Sequence, residues 1–216
     1  INDKITYGLF PKPHFSTKEL SVLQGQKKIA LAKDFKVNIS IKNFFFINEI
    51  EIKDLVFKKT EFNIYKDDVI FFKDLLRTEP NENKIIINKS TIFFRNKNDE
   101  VLFINKIYKS EFYYDSKNLQ NILISKNEVF NLPFKLVIKN DKFNKKIFTR
   151  FNSKKIRLDI KNEINYSKDL IDGFLDILLV NKNTSLSYDI DKNTLNFSSY
   201  PKKNLYKGKM DFKPFY

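Results

Sequence analysis

The chain carries one histidine, His14, and no cysteine. A Ser-His or Cys-His pair needs an imidazole or thiolate beside a partner, and one histidine next to Pro13 cannot supply both halves. His14 is therefore expected to be a surface-loop residue. Zinc and iron sites lack their usual imidazole and thiolate ligands. Carboxylates come together at Asp67-Asp68, Asp99-Glu100 and Asp189/Asp191, each in a polar stretch that reads as a turn. None has the spaced oxygens and glycine of a calcium loop. Gly8, Gly25, Gly173 and Gly208 are too scattered to cradle a phosphate. The chain reads as non-enzymatic, with no cofactor and no metal.

What remains is apolar patterning. In Phe35–Ile41, Phe35, Val37, Ile39 and Ile41 alternate with Lys36, Asn38 and Ser40. Strand side chains alternate at period two, so this run has one dry and one wet face. Ile50 and Ile52 alternate next, and after Lys58-Lys59-Thr60 come Phe62 and Ile64. The simplest reading is a three-strand antiparallel meander with one greasy surface.

The rest of the chain follows the same grammar. Ile5–Phe10 before Pro11 is an edge segment, Phe15–Leu23 a strand, and Gln24-Gly25-Gln26 a turn. Val69, Phe72, Leu75 and Leu76 are at helical spacing, with Asp67 or Asp68 as cap and Pro80 as stop, predicting one short helix near 69–76. Ile85 and Ile87 sit in a strand, or two, over Lys84–Phe94. Asn96–Glu100 is a hairpin turn and Phe103 is on the return strand. Ser116–Ile124 reads equally as capped helix or strand. Phe134, Leu136 and Ile138 form a strand, Lys146–Phe151 another. Ile156, Leu158 and Ile160 make the cleanest late alternation. Asp172-Gly173 is expected to turn the chain into Phe174–Val180, with Asn181–Thr184 turning it back. Thr194–Ser198 and Lys207–Phe212 close the set. Turn signals this regular predict an all-β, mainly antiparallel protein. It reads as one domain over 1–216, with the weakest point at 81–83.

The 23 phenylalanines and 10 tyrosines suit half-buried pleated surfaces. The net charge of +14 invites a nucleic-acid or anionic-membrane partner. Yet only Arg77, Arg95, Arg150 and Arg157 stand among 40 basic residues. The residues in excess (Lys, Asn, Ile, Phe) have A- and T-rich codons, so base composition explains the charge and nucleic acid is not the expected partner. No apolar run is long enough for a spanning helix. The chain opens at Ile1 without methionine, and both ends read as cut, so a leader or anchor helix is expected ahead of Ile1.

Four segments in order resemble a known family. They are Leu9-Phe10-Pro11-Lys12-Pro13 into Phe15–Val22; Ala32–Ser40 through Glu49–Leu55; Phe62–Tyr65 with Phe72–Leu76; and Ile85–Phe94 with Asn105-Lys106-Ile107 behind it. The succession is similar to the amino-terminal region of AsmA-like proteins of the Gram-negative envelope, over about Leu9–Asn140. The chain departs from the family in lacking the anchor helix, in its lysine load, and in having phenylalanine where tryptophan often precedes the helix. The resemblance implies a long curved sheet with an apolar concave face, standing in the periplasm and anchored to the inner membrane. Its partner would be phospholipid, carried toward the outer membrane. On this reading Phe35, Val37, Ile39, Ile41, Ile50, Ile52, Phe62, Ile64, Ile85, Ile87, Phe103, Phe134, Leu136, Ile138, Ile156, Leu158 and Ile160 line one continuous groove. The competing expectations are a sheet closed into a dry-cored sandwich, a basic β module stacking nucleic acid on its aromatics, and a purely structural spacer.

Overall fold

A computed structural model describes residues 4–44, 50–65, 68, 83–166, 171–191, 194–199 and 207–211. Nearly all of these are strand. A single 3-10 turn, Ile41–Phe44, is the one helical element among the described residues. The short helix expected near 69–76 and the weak point at 81–83 fall outside them, apart from Asn83. The fifteen strands among the described residues divide between two compact units, Ile1–Tyr114 with Ser125–Asn131, and Asp115–Ile124 with Leu132–Tyr216.

The first unit holds β1 (Thr6–Gly8), β2 (His14–Thr17), β3 (Leu20–Gln24), β4 (Lys27–Ile39), β5 (Ile52–Tyr65), β6 (Lys84–Arg95) and β7 (Val101–Asp115, less its last residue). Their order is β1-β2-β4-β5-β6-β7, with β3 also against β4. Gly25, at φ 62°, closes the β3–β4 hairpin, a left-handed conformation that glycine adopts freely. Every pairing here is antiparallel except β5–β6, which is parallel. A parallel pair needs a crossover between its strands, so Tyr65 cannot lead to Lys84 through a tight turn.

The second unit is a plain antiparallel meander in chain order. It runs through β9 (Leu132–Asp141), β10 (Lys146–Ser153), β11 (Leu158–Asn165), β12 (Ile171–Leu179), β13 (Lys182–Asp191), β14 (Thr194–Ser199) and β15 (Lys207–Asp211). The intervening β8 (Gln120–Val129) contributes its first half to this unit and its second half to the other. Turns at 116–119, 142–145 and 154–157 each end in a residue with positive φ: Leu119, Lys145 and Arg157. Asp115 and Asp141 open the first two, accepting the backbone N–H of Lys117 (3.0 Å) and Asn144 (2.9 Å). Such side chain–backbone bonds mimic a turn's own hydrogen bond and fix where each strand stops.

Several local expectations need correction. The Phe35–Tyr65 stretch is two long strands, not three. Lys58-Lys59-Thr60 lies inside β5, where Lys59 takes φ 48° and the strand continues. Phe15–Leu23 is two strands, parted at Glu19 with φ 52°. Ser116–Ile124 is a turn followed by strand. Asp172-Gly173 makes no turn. Both sit within β12, because the glycine there answers a packing demand: a Cβ on Gly173 would lie 2.3 Å from the Tyr188 ring on the neighbouring strand. His14 is no surface-loop residue. It opens β2, is buried, lies over Gly8, and its Nδ1–H donates to the Lys12 carbonyl at 2.7 Å.

Candidate functional site

Residues directly opposite across a ladder share a face, so the register sorts the apolar side chains. In the second unit the alignment is unbroken. Leu136 faces Phe151, which faces Ile160, which faces Ile177. Two residues along, Ile138 faces Thr149 and Asn162 faces Leu175, which faces Leu186. Phe134 stands on the same face and stacks on Phe151, ring centroids 4.8 Å apart. Leu158 belongs to it too, opposite Ser153 and Leu179. From β9 to β12 the face contains no charged residue; on β13 the first residue, exposed Lys182 opposite Leu179, is on it at the margin. The other face holds Lys135, Lys139, Arg150, Asp159, Lys161 and Glu163, where Arg150 grips Asp159 with two bonds of 2.9 and 2.7 Å. That guanidinium holds the Asp159 carboxyl below the usual aspartate range.

Two tyrosines extend the apolar face by laying rings across it. Tyr188 covers Gly173 and donates its hydroxyl to Asn162, two strands away, at 2.8 Å. Tyr166 reaches Asn140 across β10 in the same way, at 3.0 Å. Burial pushes the Tyr188 phenol up. Phe197 lies over Gly208 as Tyr188 lies over Gly173. A ring flat on a bare backbone adds apolar area while keeping its polar tip bonded.

The decisive property of this face is that its apolar side chains are half-buried and none is fully buried. Among the described residues the buried apolar ones are Ala30, Ala32, Ile39, Val56, Ile107 and Ile122. None lies on β9–β15. Every strand of this unit belongs to one ladder, so the unit has no second layer of described strands of its own.

The first unit sorts differently, into two apolar sets. Phe35 faces Phe57, which pairs with Ile87; Val37 faces Leu55, which pairs with Ile85, opposite Phe112. The other set joins Ala30, Phe62 and Ile92, and beside them Ile64, Phe94 and Phe103, the last two rings stacked at 4.8 Å. Between the sets the ladder is interrupted. Lys33 meets Lys59, and Lys89 meets Tyr108, without a paired register, and Lys59 and Lys89 have φ 48° and 49°. The two sets on β5 and β6 are Leu55, Phe57, Ile85 and Ile87 before this line, with Val56 and Ile86 paired on the opposite face, and Phe62, Ile64, Ile92 and Phe94 after it, with Phe93 opposite. Odd gives way to even. Ser90 bridges the gap, taking the Thr60 N–H at 3.0 Å and donating to the Asn88 carbonyl at 2.9 Å.

A shallow cleft of about 700 Å³ follows the interruption, lined by Lys18, Lys33, Asp34, Lys58, Lys59, Asn88, Lys89, Tyr108 and Lys109. Asp34, Lys58, Asn88 and Lys109 form one row by register; Lys33, Lys59, Lys89 and Tyr108 are the next residue along each strand.

Of the expected groove residues, the structure brings together Phe134, Leu136, Ile138, Leu158 and Ile160 on one face. It also brings Phe35 and Val37 together with Ile85 and Ile87, and Phe62 and Ile64 with Phe103. Ile39 is buried at 8% exposure, opposite Ile52 at 40% across a bulge. Ile41 (66% exposed) is in the 3-10 turn, Ile50 (61%) precedes β5, and Ile156 (40%) is in the 154–157 turn. These three lie on no strand face. Sequence reasoning missed Leu55, Phe57, Ile92, Phe94, Phe151, Leu175 and Ile177; their alternation was visible, but their partners were not.

Among the described residues no three metal-ligating side chains cluster, and no helix is long and apolar enough to cross a membrane. No family model matches the chain, and no curated protein matches it.

Proposed function

We propose that this chain is a non-enzymatic lipid-handling protein whose uncovered apolar sheet faces shield phospholipid acyl chains. On the AsmA-like resemblance, it works at the periplasmic side of the inner membrane, anchored there outside the described residues. One observation carries the reading. The face running from Leu136 through Phe151 and Ile160 to Ile177 is apolar, free of charge along that line, aligned over four strands, and only half-buried, with no second layer within its own unit. Each methylene taken from water onto such a face contributes about 0.8 kcal/mol, so a two-tailed lipid is held by contact without a specific site. A charge in its path would cost several kcal/mol, and the one charge on this face from β9 to β13, Lys182, stands at its margin.

The test is mass spectrometry of lipid co-purified with the full native chain, and with Ile160→Asp. Wild type is expected to carry phospholipid and Ile160→Asp to lose at least about tenfold of it while keeping its strand signal in circular dichroism. A folded wild type free of lipid would overturn the proposal. Loss of the fold in Ile160→Asp would instead mark the face as an ordinary core.

One observation favours the nucleic-acid reading. Phe93 and Tyr113 lie beside cations, Arg95 at 5.8 Å and Lys84 at 5.2 Å, on the faces opposite the apolar sets. Stacking platforms beside basic groups suit single strands. Lys84, however, is already paired with Glu111 at 2.5 Å. Filter binding at low salt and at about 200 mM salt separates the two readings; no retention at low salt removes this one.

A further inference from the structure

We propose that the lysine band crossing β4 to β7 is a binding site for phosphate-ester anions, and that it takes the headgroup of a lipid held by the apolar faces. The second clause rests on the function proposed above; the first does not. Lysines facing one another across adjacent strands are about 4.8 Å apart in the hydrogen-bonding direction, and like charges so placed destabilise a sheet. Here Lys33, Lys59 and Lys89 occupy neighbouring positions on three strands. The carboxylates nearby answer only part of the charge: Asp34 lies 3.9 Å from Lys58, Glu61 3.8 Å from Lys33, and Glu111 2.6 Å from Lys109. Lys18, Lys59 and Lys89 have no carboxylate within ion-pair distance among the described residues.

The backbone gives a second, independent reason. Lys59 and Lys89 both adopt the left-handed conformation, which favours glycine and asparagine. A lysine there bears a steric penalty, and strained residues gather at binding sites. An anion seated on the band removes the mutual repulsion of the ammonium groups. Lysine binds phosphate as a point charge rather than a bidentate fork, so the site should respond to charge more than to headgroup shape.

The experiment is vesicle flotation with the full native chain, using phosphatidylcholine alone and phosphatidylcholine with phosphatidylglycerol. Lys59→Asn/Lys89→Asn keeps a residue tolerant of the backbone; Lys135→Gln/Lys139→Gln removes the same charge from exposed strand positions elsewhere. Binding to the anionic vesicles should weaken roughly tenfold in the first pair and stay within about twofold in the second. Inorganic phosphate should compete. Equal losses in both pairs, or none in the first, overturn the site and leave the lipid reading standing if co-purified lipid is still present. Phosphate binding that needs Lys59 and Lys89, with no vesicle binding, sustains the anion site, names free phosphate as its source, and overturns the headgroup. An oligonucleotide bound more tightly than the vesicles through the same lysines overturns the headgroup in favour of nucleic acid.

Discussion

Strands β9–β13 and strands β4–β6 are built from the same residue types, yet they sort them differently. In β9–β13 the ladder never slips, so period two gathers Leu136, Phe151, Ile160 and Ile177 on one face and most charges on the other, where Val137, Phe148, Phe174 and Leu178 are also found. In β4–β6 a left-handed residue on each of two adjacent strands interrupts the ladder. The apolar positions change parity there, and lysines fill the break. Regular register thus makes a broad apolar surface, whereas one backbone irregularity repeated across strands makes a charged seam. The difference lies in φ at two residues, not in composition.

Filling the gap beneath a ring should disturb the regular region most. Gly173→Val places methyl groups where the Tyr188 ring lies, so the ring must lift and its bond to Asn162 break. The expected loss is about 1–3 kcal/mol, read from the denaturant midpoint. A wild-type midpoint for this variant would mean that the ring does not lie flat on β12.

A matched pair of substitutions sharpens the contrast. Lys59→Val puts a β-branched residue at positive φ and should destabilise by about 1–2 kcal/mol. Lys161→Val, on the regular strand β11, should be neutral or mildly stabilising, since valine favours extended backbone. Equal effects at both positions would erase the distinction between the regions.

The smallest effect concerns charge on the polar face of β11. Because Arg150 depresses the Asp159 pKa, the pair contributes stability above the unfolded carboxylate pKa of about 4 and loses it as pH falls through the lower folded value. Asp159→Asn should cost under about 1 kcal/mol at neutral pH, since Arg150 is 44% exposed, and the two proteins should converge in acid. A constant gap from neutral pH down to strong acid would show that the ion pair is not its source.

The sequence determined what local chemistry alone can encode. Alternation in Phe134–Ile138 and Leu158–Ile160 needs only the two-residue repeat of an extended chain, and it was readable without any partner. The Asn96–Glu100 turn was equally plain, since Asn96 Oδ1 accepts from both the Asn98 and Glu100 N–H groups within a few residues. The all-β class followed from many such local signals. Tertiary structure alone decided the rest. The parallel β5–β6 pairing joins residues some thirty positions apart, and nothing in either strand names its neighbour. Lys59 and Lys89 carry no signature of positive φ, because lysine is not a residue that seeks it. Gly173 looked like a turn glycine because glycine serves both turns and close approaches, and only the ring of Tyr188 on the next strand tells which. Period two fixed each face within a strand; register, set by backbone partners far along the chain, fixed which faces became one surface.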